Sequence, residues 1–202
     1  MEKREKLIMK ILTLPNLREK LLNCDVIVCG LGTSLNQLDN PEKYWTVGVN
    51  DIGGKFTPDF LVCIDPLTRF KNPPSRRQNI LNCNPKYFCS QLEPKQYPNL
   101  RAENYVKFKL GRRTGVGFDF IKNPERLDYH NTSTYVALNL AAYMGTKTIG
   151  LIGVDFTNDH FNRNSGVHQL SRRVDEINKQ YKKFAEQCKT NNKKQITNQP
   201  IT

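Results

Sequence analysis

Short unbroken apolar runs separated by polar, glycine-bearing turns set the pattern of this chain. Val26-Ile27-Val28-Cys29 follows Asp25 and ends at Gly30, and Thr46-Val47-Gly48-Val49, Phe60-Leu61-Val62-Cys63-Ile64 and Thr148 to Val154 have the same character. Runs this short, rich in β-branched residues and without alternation, predict strands buried on both faces, as in parallel sheets. Lys86 to Cys89 and Tyr105 to Phe108 predict two further short strands within the less regular, proline-punctuated stretch 67–125. Helical spacing shows in Leu7, Ile8, Ile11, Leu12 and Leu14, which predicts a helix over residues 2–22. Pro15 breaks it, and Asn16 caps a second short piece, Leu17 to Leu22. Val136, Leu140 and Met144 predict a helix from Thr134 to Met144 that stops at Gly145. Residues 170–188 predict a charged amphipathic helix, and 190–202 a polar tail that frays.

Strand, glycine turn, helix, strand, and later helix and strand again, describe an α/β protein. The expected fold is Rossmann-like: an open, mainly parallel sheet with helices on both faces. Residues 1–189 are expected to form a single domain, with 67–125 as a basic acceptor or lid region. Such sheets bind ligands outside the carboxyl ends of their strands. The polar residues that follow the apolar runs, Asn50-Asp51, Asp65 and Asp155, fall at those ends.

Charge adds a second constraint. The net charge is +12, and between Arg69 and Arg126 thirteen Lys/Arg face four Asp/Glu, a net +9. Such a stretch attracts phosphate, whether in a nucleotide, a nucleic acid or an anionic surface, and it also suits a solvated lysine-rich face. No apolar run reaches the roughly 18 residues of a membrane span. The charged start, with a short apolar stretch interrupted by Lys10, predicts no secretory signal and a cytosolic protein. Cys24, Cys29, Cys63, Cys83, Cys89 and Cys188 form no CxxC pair and are expected to be free thiols.

Four groups of residues could carry chemistry. Gly30-Leu31-Gly32-Thr33-Ser34 after the first strand offers backbone amides and a hydroxyl to a phosphate; a ligand-free strand-to-helix turn would use the same residues. Asn50, Asp51 and Asp65 could hold ribose, base or a metal. Tyr129-His130-Asn131-Thr132-Ser133-Thr134 opens a helix with more hydroxyls than one cap requires. Asp155 ends a strand, and His160 and His168 follow it as candidate general bases.

Taken together, these segments resemble a known group. Val26 to Leu35 is similar to the G-x-G-P-S-L opening of small bacterial sialyltransferases and of the related 6-hydroxymethylpterin diphosphokinase-like and motility accessory factor proteins. Val47 to Asp51 and Pro58 to Pro66 resemble their second and third strands. Asn131 to Leu138, Met144-Gly145 and Ile149 to Phe156 resemble their hydroxyl-rich helix start, M-G and G-x-D-F pattern. The resemblance covers residues 25–66 and 129–156. It implies a nucleotide-binding transferase in which Gly30, Gly32, Ser34, Asn50, Thr132 and Ser133 hold the nucleotide and His168, or else His160, is the base. Two departures stand out: Leu31 replaces an Asn of the sialyltransferases, and Thr33 a Pro. Asp65 looks more like the diphosphokinase-like branch, which implies ATP and magnesium held by Asp65 and Asp155.

Three functions follow as expectations. The first is a glycosyltransferase with a nucleotide-sugar donor, whose acceptor could be a modified DNA base reached through the basic segment 69–126. The second is a magnesium-dependent diphosphotransferase. The third is a non-catalytic nucleotide- or nucleic-acid-binding module.

Overall fold

The apolar runs assemble into one eight-stranded sheet in which every pairing is parallel. The structure is a computed structural model and describes residues 9–113, 117–155, 173–190 and 195–197. In chain order the strands are β1 (Lys10–Thr13), β2 (Asp25–Cys29), β3 (Trp45–Val49), β4 (Phe60–Val62), β5 (Tyr87–Ser90), β6 (Asn104–Lys107), β7 (Lys109–Leu110), β8 (Arg126–Leu127), β9 (Thr148–Ile152) and β10 (Gln195–Thr197). Their order across the sheet is β1-β6-β5-β4-β3-β2-β9-β10, while β7 and β8 form a separate two-stranded ribbon. The helices are α1 (Ser75–Leu81), α2 (Ser133–Tyr143) and α3 (Val174–Thr190).

Strand alternation divides the core in two. Val26, Val28, Val47 and Val49 point to the face covered by α2 and α3. Ile27, Cys29, Leu61, Cys63, Phe88 and Tyr105 point to the other, where Ile80 of α1, Leu35 and Tyr97 cover them. Helices therefore lie on both faces, as expected for this α/β class. On the α1 face the cover is one helix of seven residues plus single 3-10 turns. Ten of the eleven residues of α2 are buried, so it is a core helix rather than an amphipathic surface one. Phe184 of α3 stacks on Phe118 (5.1 Å) and meets Tyr135 of α2 edge-on (5.7 Å).

Two expectations change. Residues 10–13 form an edge strand on β6, not a helix. The apolar spacing over so short a run suits either element, and the open edge of β6 supplies the hydrogen bonds that decide it. Leu14 to Leu17 is then a single 3-10 turn. Gln195–Thr197, expected to fray, is a parallel edge strand on β9. The two short strands expected within 67–125 are present as β5 and β6, both interior to the sheet. All six cysteines are free, and all but Cys24 are buried; burial pushes the Cys63 and Cys83 thiols up to about 12. No described helix is long and apolar enough to cross a membrane.

Candidate functional site

From β2 the chain steps outward in one direction to β6, whereas β9 lies on the opposite side of β2. The carboxyl ends of β2 and β9 therefore flank the topological switch point, where open α/β sheets form their ligand crevice. Two loops meet there. Gly30 donates its N–H to Ile152 O (2.8 Å) and Gly32 to Gly153 O (2.7 Å). A Cβ on Gly30 would stand 2.2 Å from Gly153 O, and one on Gly153, whose φ is +67°, 2.5 Å from Gly30 O. The glycines here let two backbones cross.

Asp155 closes the same loop. Its Oδ2 accepts from the Ser34 amide (2.8 Å) and the Thr33 hydroxyl (3.3 Å), and its Oδ1 accepts from the Ser34 hydroxyl. Ser34 Oγ in turn accepts from the Gly153 amide (2.8 Å). The donors expected to face a phosphate are thus engaged by the chain's own carboxylate. Residues 33–37 form one 3-10 turn, not the α-helix start expected after the glycine turn. An incoming anion at Ser34 must displace Asp155.

The ends of β3 and β4 behave differently from each other. Asn50 has φ +50° and opens the turn Asn50–Gly54; its Oδ1 is buried and has no hydrogen-bond partner. Asp51 is fully buried and held by Arg76, with Nε 3.0 Å and Nη2 2.7 Å from the two carboxylate oxygens. That carboxylate therefore anchors α1 rather than standing open to a ligand. Asp65 is exposed, and its backbone carbonyl accepts from the Tyr97 hydroxyl (2.7 Å). β4 and β9 are three places apart in the sheet. At about 4.8 Å per place their rows are roughly 14 Å apart, and Asp155 turns to Ser34. Asp155 is engaged by Ser34 and Thr33 rather than turned out to a cation. Among the described residues no group of three or more His, Cys, Asp and Glu could hold a metal.

α2 brings the third group to the same edge. Its last turn is tied to the start of β2, with Lys147 N donating to Cys24 O (2.8 Å) and Asn23 N to Gly145 O (3.3 Å). Its first turn accordingly lies at the strands' carboxyl ends. Thr132 is the N-cap: Oγ1 accepts from the Tyr135 amide (3.1 Å) and lies 3.3 Å from the Tyr181 hydroxyl of α3. Ser133 is buried. His160 and His168 lie outside the described residues.

Beside that helix start, His130 and Asn131 of the same group meet three residues that the sequence reading did not single out, Arg113, Arg173 and Glu176. Asn131 Oδ1 accepts from Arg113 Nη2 (2.9 Å) and Arg173 Nη1 (3.0 Å). Its Nδ2 lies 3.1 Å from His130 Nδ1, and His130 Nε2 lies 3.3 Å from Glu176 Oε1. Burial holds the His130 pKa below its ordinary value, against the pull of Glu176. The neutral ring with its proton on Nε2 satisfies both contacts: it donates to Glu176 and accepts from the Asn131 amide, which leaves Oδ1 facing the arginines. Arg113 comes from the loop after β7. Asp128 fixes that loop by accepting the amides of Arg112 (3.1 Å) and Gly117 (3.2 Å). Arg113 and Arg173 are 18 and 42 positions from Asn131, so no local motif could announce them.

The basic segment is partly neutralised from within. Arg76 pairs with Asp51, Lys107 with Glu93, and Lys109 with Glu125 (2.5 Å). Glu93 and Glu125 are already counted in the net +9, so of these pairs only Arg76–Asp51 lowers the charge of the segment, from +9 to 9 − 1 = +8.

These features define the chain as an α/β protein with a Rossmann-like open sheet whose topological switch point lies at β2 and β9. No protein-family model matches the chain, and no curated protein matches it. Among solved structures it is similar to the MAf glycosyltransferase from Magnetospirillum magneticum AMB-1, with a TM-score of 0.46 and 16% identity over 68% of this chain. The chain spans only 23% of that protein's length. It is also similar to the sialyltransferase CstII from Campylobacter jejuni in complex with CMP-3FNeuAc (TM-score 0.36, 13% identity, 77% of this chain and 76% of that one). The same enzyme with cytidine-5'-monophosphate gives a TM-score of 0.36 and 16% identity over 79% and 76% of the two chains.

Proposed function

We propose that the crevice binds a nucleotide and that the chain is a glycosyltransferase using a nucleotide-sugar donor. The observation that carries this reading is Asn50 Oδ1, a buried acceptor without a donor at the ligand edge of the sheet. Leaving such an atom unpaired costs about 1–3 kcal/mol, which a ligand N–H or O–H would recover. The sequence resemblance of residues 25–66 and 129–156 supports a nucleotide as that ligand. Gly30, Gly32, Thr33, Ser34, Thr132 and Ser133 line the approach, and Asp65 stands at the next strand end. In the reaction His168, or else His160, takes the proton of an acceptor hydroxyl. The acceptor oxygen bonds to the anomeric carbon of the sugar, and the nucleotide leaves with the bonding pair on its phosphate oxygen. No step requires magnesium. The bonds of Asp155 to Ser34 and Thr33 favour this reading over a diphosphotransferase with Asp155 as a magnesium ligand. The acceptor is a hydroxyl compound that reaches the crevice, and the net positive charge of residues 69–126 suits one carried on nucleic acid, such as a modified DNA base.

The test is a thermal-shift panel of UDP-, CMP- and GDP-sugars and ATP, with and without magnesium. A specific donor at 100 times its Kd should stabilise the protein by about 2.7 kcal/mol. Asn50→Gly keeps the left-handed backbone and removes the amide, and it should abolish the shift. The reading fails if no nucleotide shifts the protein, or if Asn50→Gly responds as the parent does.

A further inference from the structure

We infer that Arg113 and Arg173, gathered on Asn131 Oδ1 at the start of α2, form the clamp for the phosphate groups of a phosphorylated ligand. The inference rests on the nucleotide reading of the crevice, and it moves the phosphate away from the glycine turn. At that turn the amides of Gly30, Gly32 and Ser34 are all engaged within the protein, and Asp155 holds the position an anion would take. At the start of α2 the balance is reversed. Two guanidinium nitrogens donate to one neutral oxygen, which keeps them no more than about 6 Å apart, a separation at which like charges repel. Glu176 bonds Arg173 through Nε (2.9 Å) and Nη2 (2.8 Å) and so fixes its orientation. Arg113 has no carboxylate within ion-pair distance among the described residues, and its side chain is exposed. Asp128 is turned into the loop, bonded to backbone amides. One positive charge is therefore left unmatched, in a fork geometry suited to phosphate oxygens. The positive end of the α2 dipole favours the same charge.

Calorimetry on the full chain of 202 residues separates the possibilities. The probes are inorganic pyrophosphate, a nucleoside diphosphate and the corresponding nucleoside, at about 0.15 M salt. Arg113→Gln and Arg173→Gln should each weaken pyrophosphate and nucleoside diphosphate by about tenfold or more, with the nucleoside unaffected. Arg113→Lys should recover only part, because an ammonium lacks the planar fork. Lys109→Gln removes the same charge from the neighbouring ribbon and should change nothing. The clamp is refuted if pyrophosphate does not bind, or if it binds Arg113→Gln and Lys109→Gln equally well. If nucleotide affinity is lost in Asn50→Gly but kept in Arg113→Gln, the clamp fails and the nucleotide reading stands. Arginine-dependent pyrophosphate binding without affinity for any nucleotide upholds the clamp and removes the nucleotide reading.

Discussion

Gly30 and Asn131 show how single residues shape this edge of the molecule. At Gly30 the requirement is space, since the backbone carbonyl of Gly153 occupies the volume a Cβ would need. Gly30→Ala should therefore force the β2 and β9 loops apart and cost about 1–3 kcal/mol, read as a lowered denaturant midpoint at unchanged m-value. A variant as stable as the parent would show that the loops do not cross as described. Asn131 shows the opposite economy: φ is +53°, and its amide joins His130 on one side to two arginines on the other. That glycines follow the first strand was plain in the sequence. That Asp155, 121 positions later, takes the Ser34 amide was not, because only pairing of β2 with β9 brings them together.

Among the elements, α2 was the most legible, since its apolar period, hydroxyl cap and terminal glycine agree. α1 is held differently. It is seven residues long, too short to be stable alone, and the Asp51–Arg76 pair ties it to the turn after β3. Arg76→Met should cost about 3–5 kcal/mol by leaving a buried carboxylate uncompensated. Asp51→Asn added to it should restore part of that loss, a coupling measurable by a double-mutant cycle in urea. Additive losses would show that the pair contributes no net interaction. The first strand was the least legible element. Ile11 and Leu12 fit a helix by spacing, and the pairing of β1 with β6 lies 94 positions away in the chain.

At the scale of the whole molecule, the sheet's order creates the switch point. β9 adds to β2 on the side away from β3, and β10 then covers the outer edge of β9. Without β10 the backbone groups along that edge of β9 would face water and be open to pairing with another chain. A chain ending at Thr190 should therefore exchange β9 amides faster than the full chain and self-associate more, read by hydrogen exchange and light scattering. Equal exchange in the two chains would mean that β10 gives β9 no protection. The net positive charge also belongs to this scale. Its sign was evident from composition, but its distribution depends on which cations the fold spends on Asp51, Glu93 and Glu125.

By itself the sequence determined the class of fold, the buried strands, α2 and the edge of the sheet at which polar residues collect. Those features depend on local periodicity and on the conformations that glycine, proline and capping residues allow. Only the tertiary structure decided what the polar residues do there. It turned Asp155 onto Ser34 and Arg76 onto Asp51, left Asn50 Oδ1 without a partner, and gathered Arg113 and Arg173 on Asn131. The physical reason is that a charged or hydrogen-bonding group is assigned by whatever lies within about 3 Å of it, and in a parallel sheet those neighbours come from distant parts of the chain.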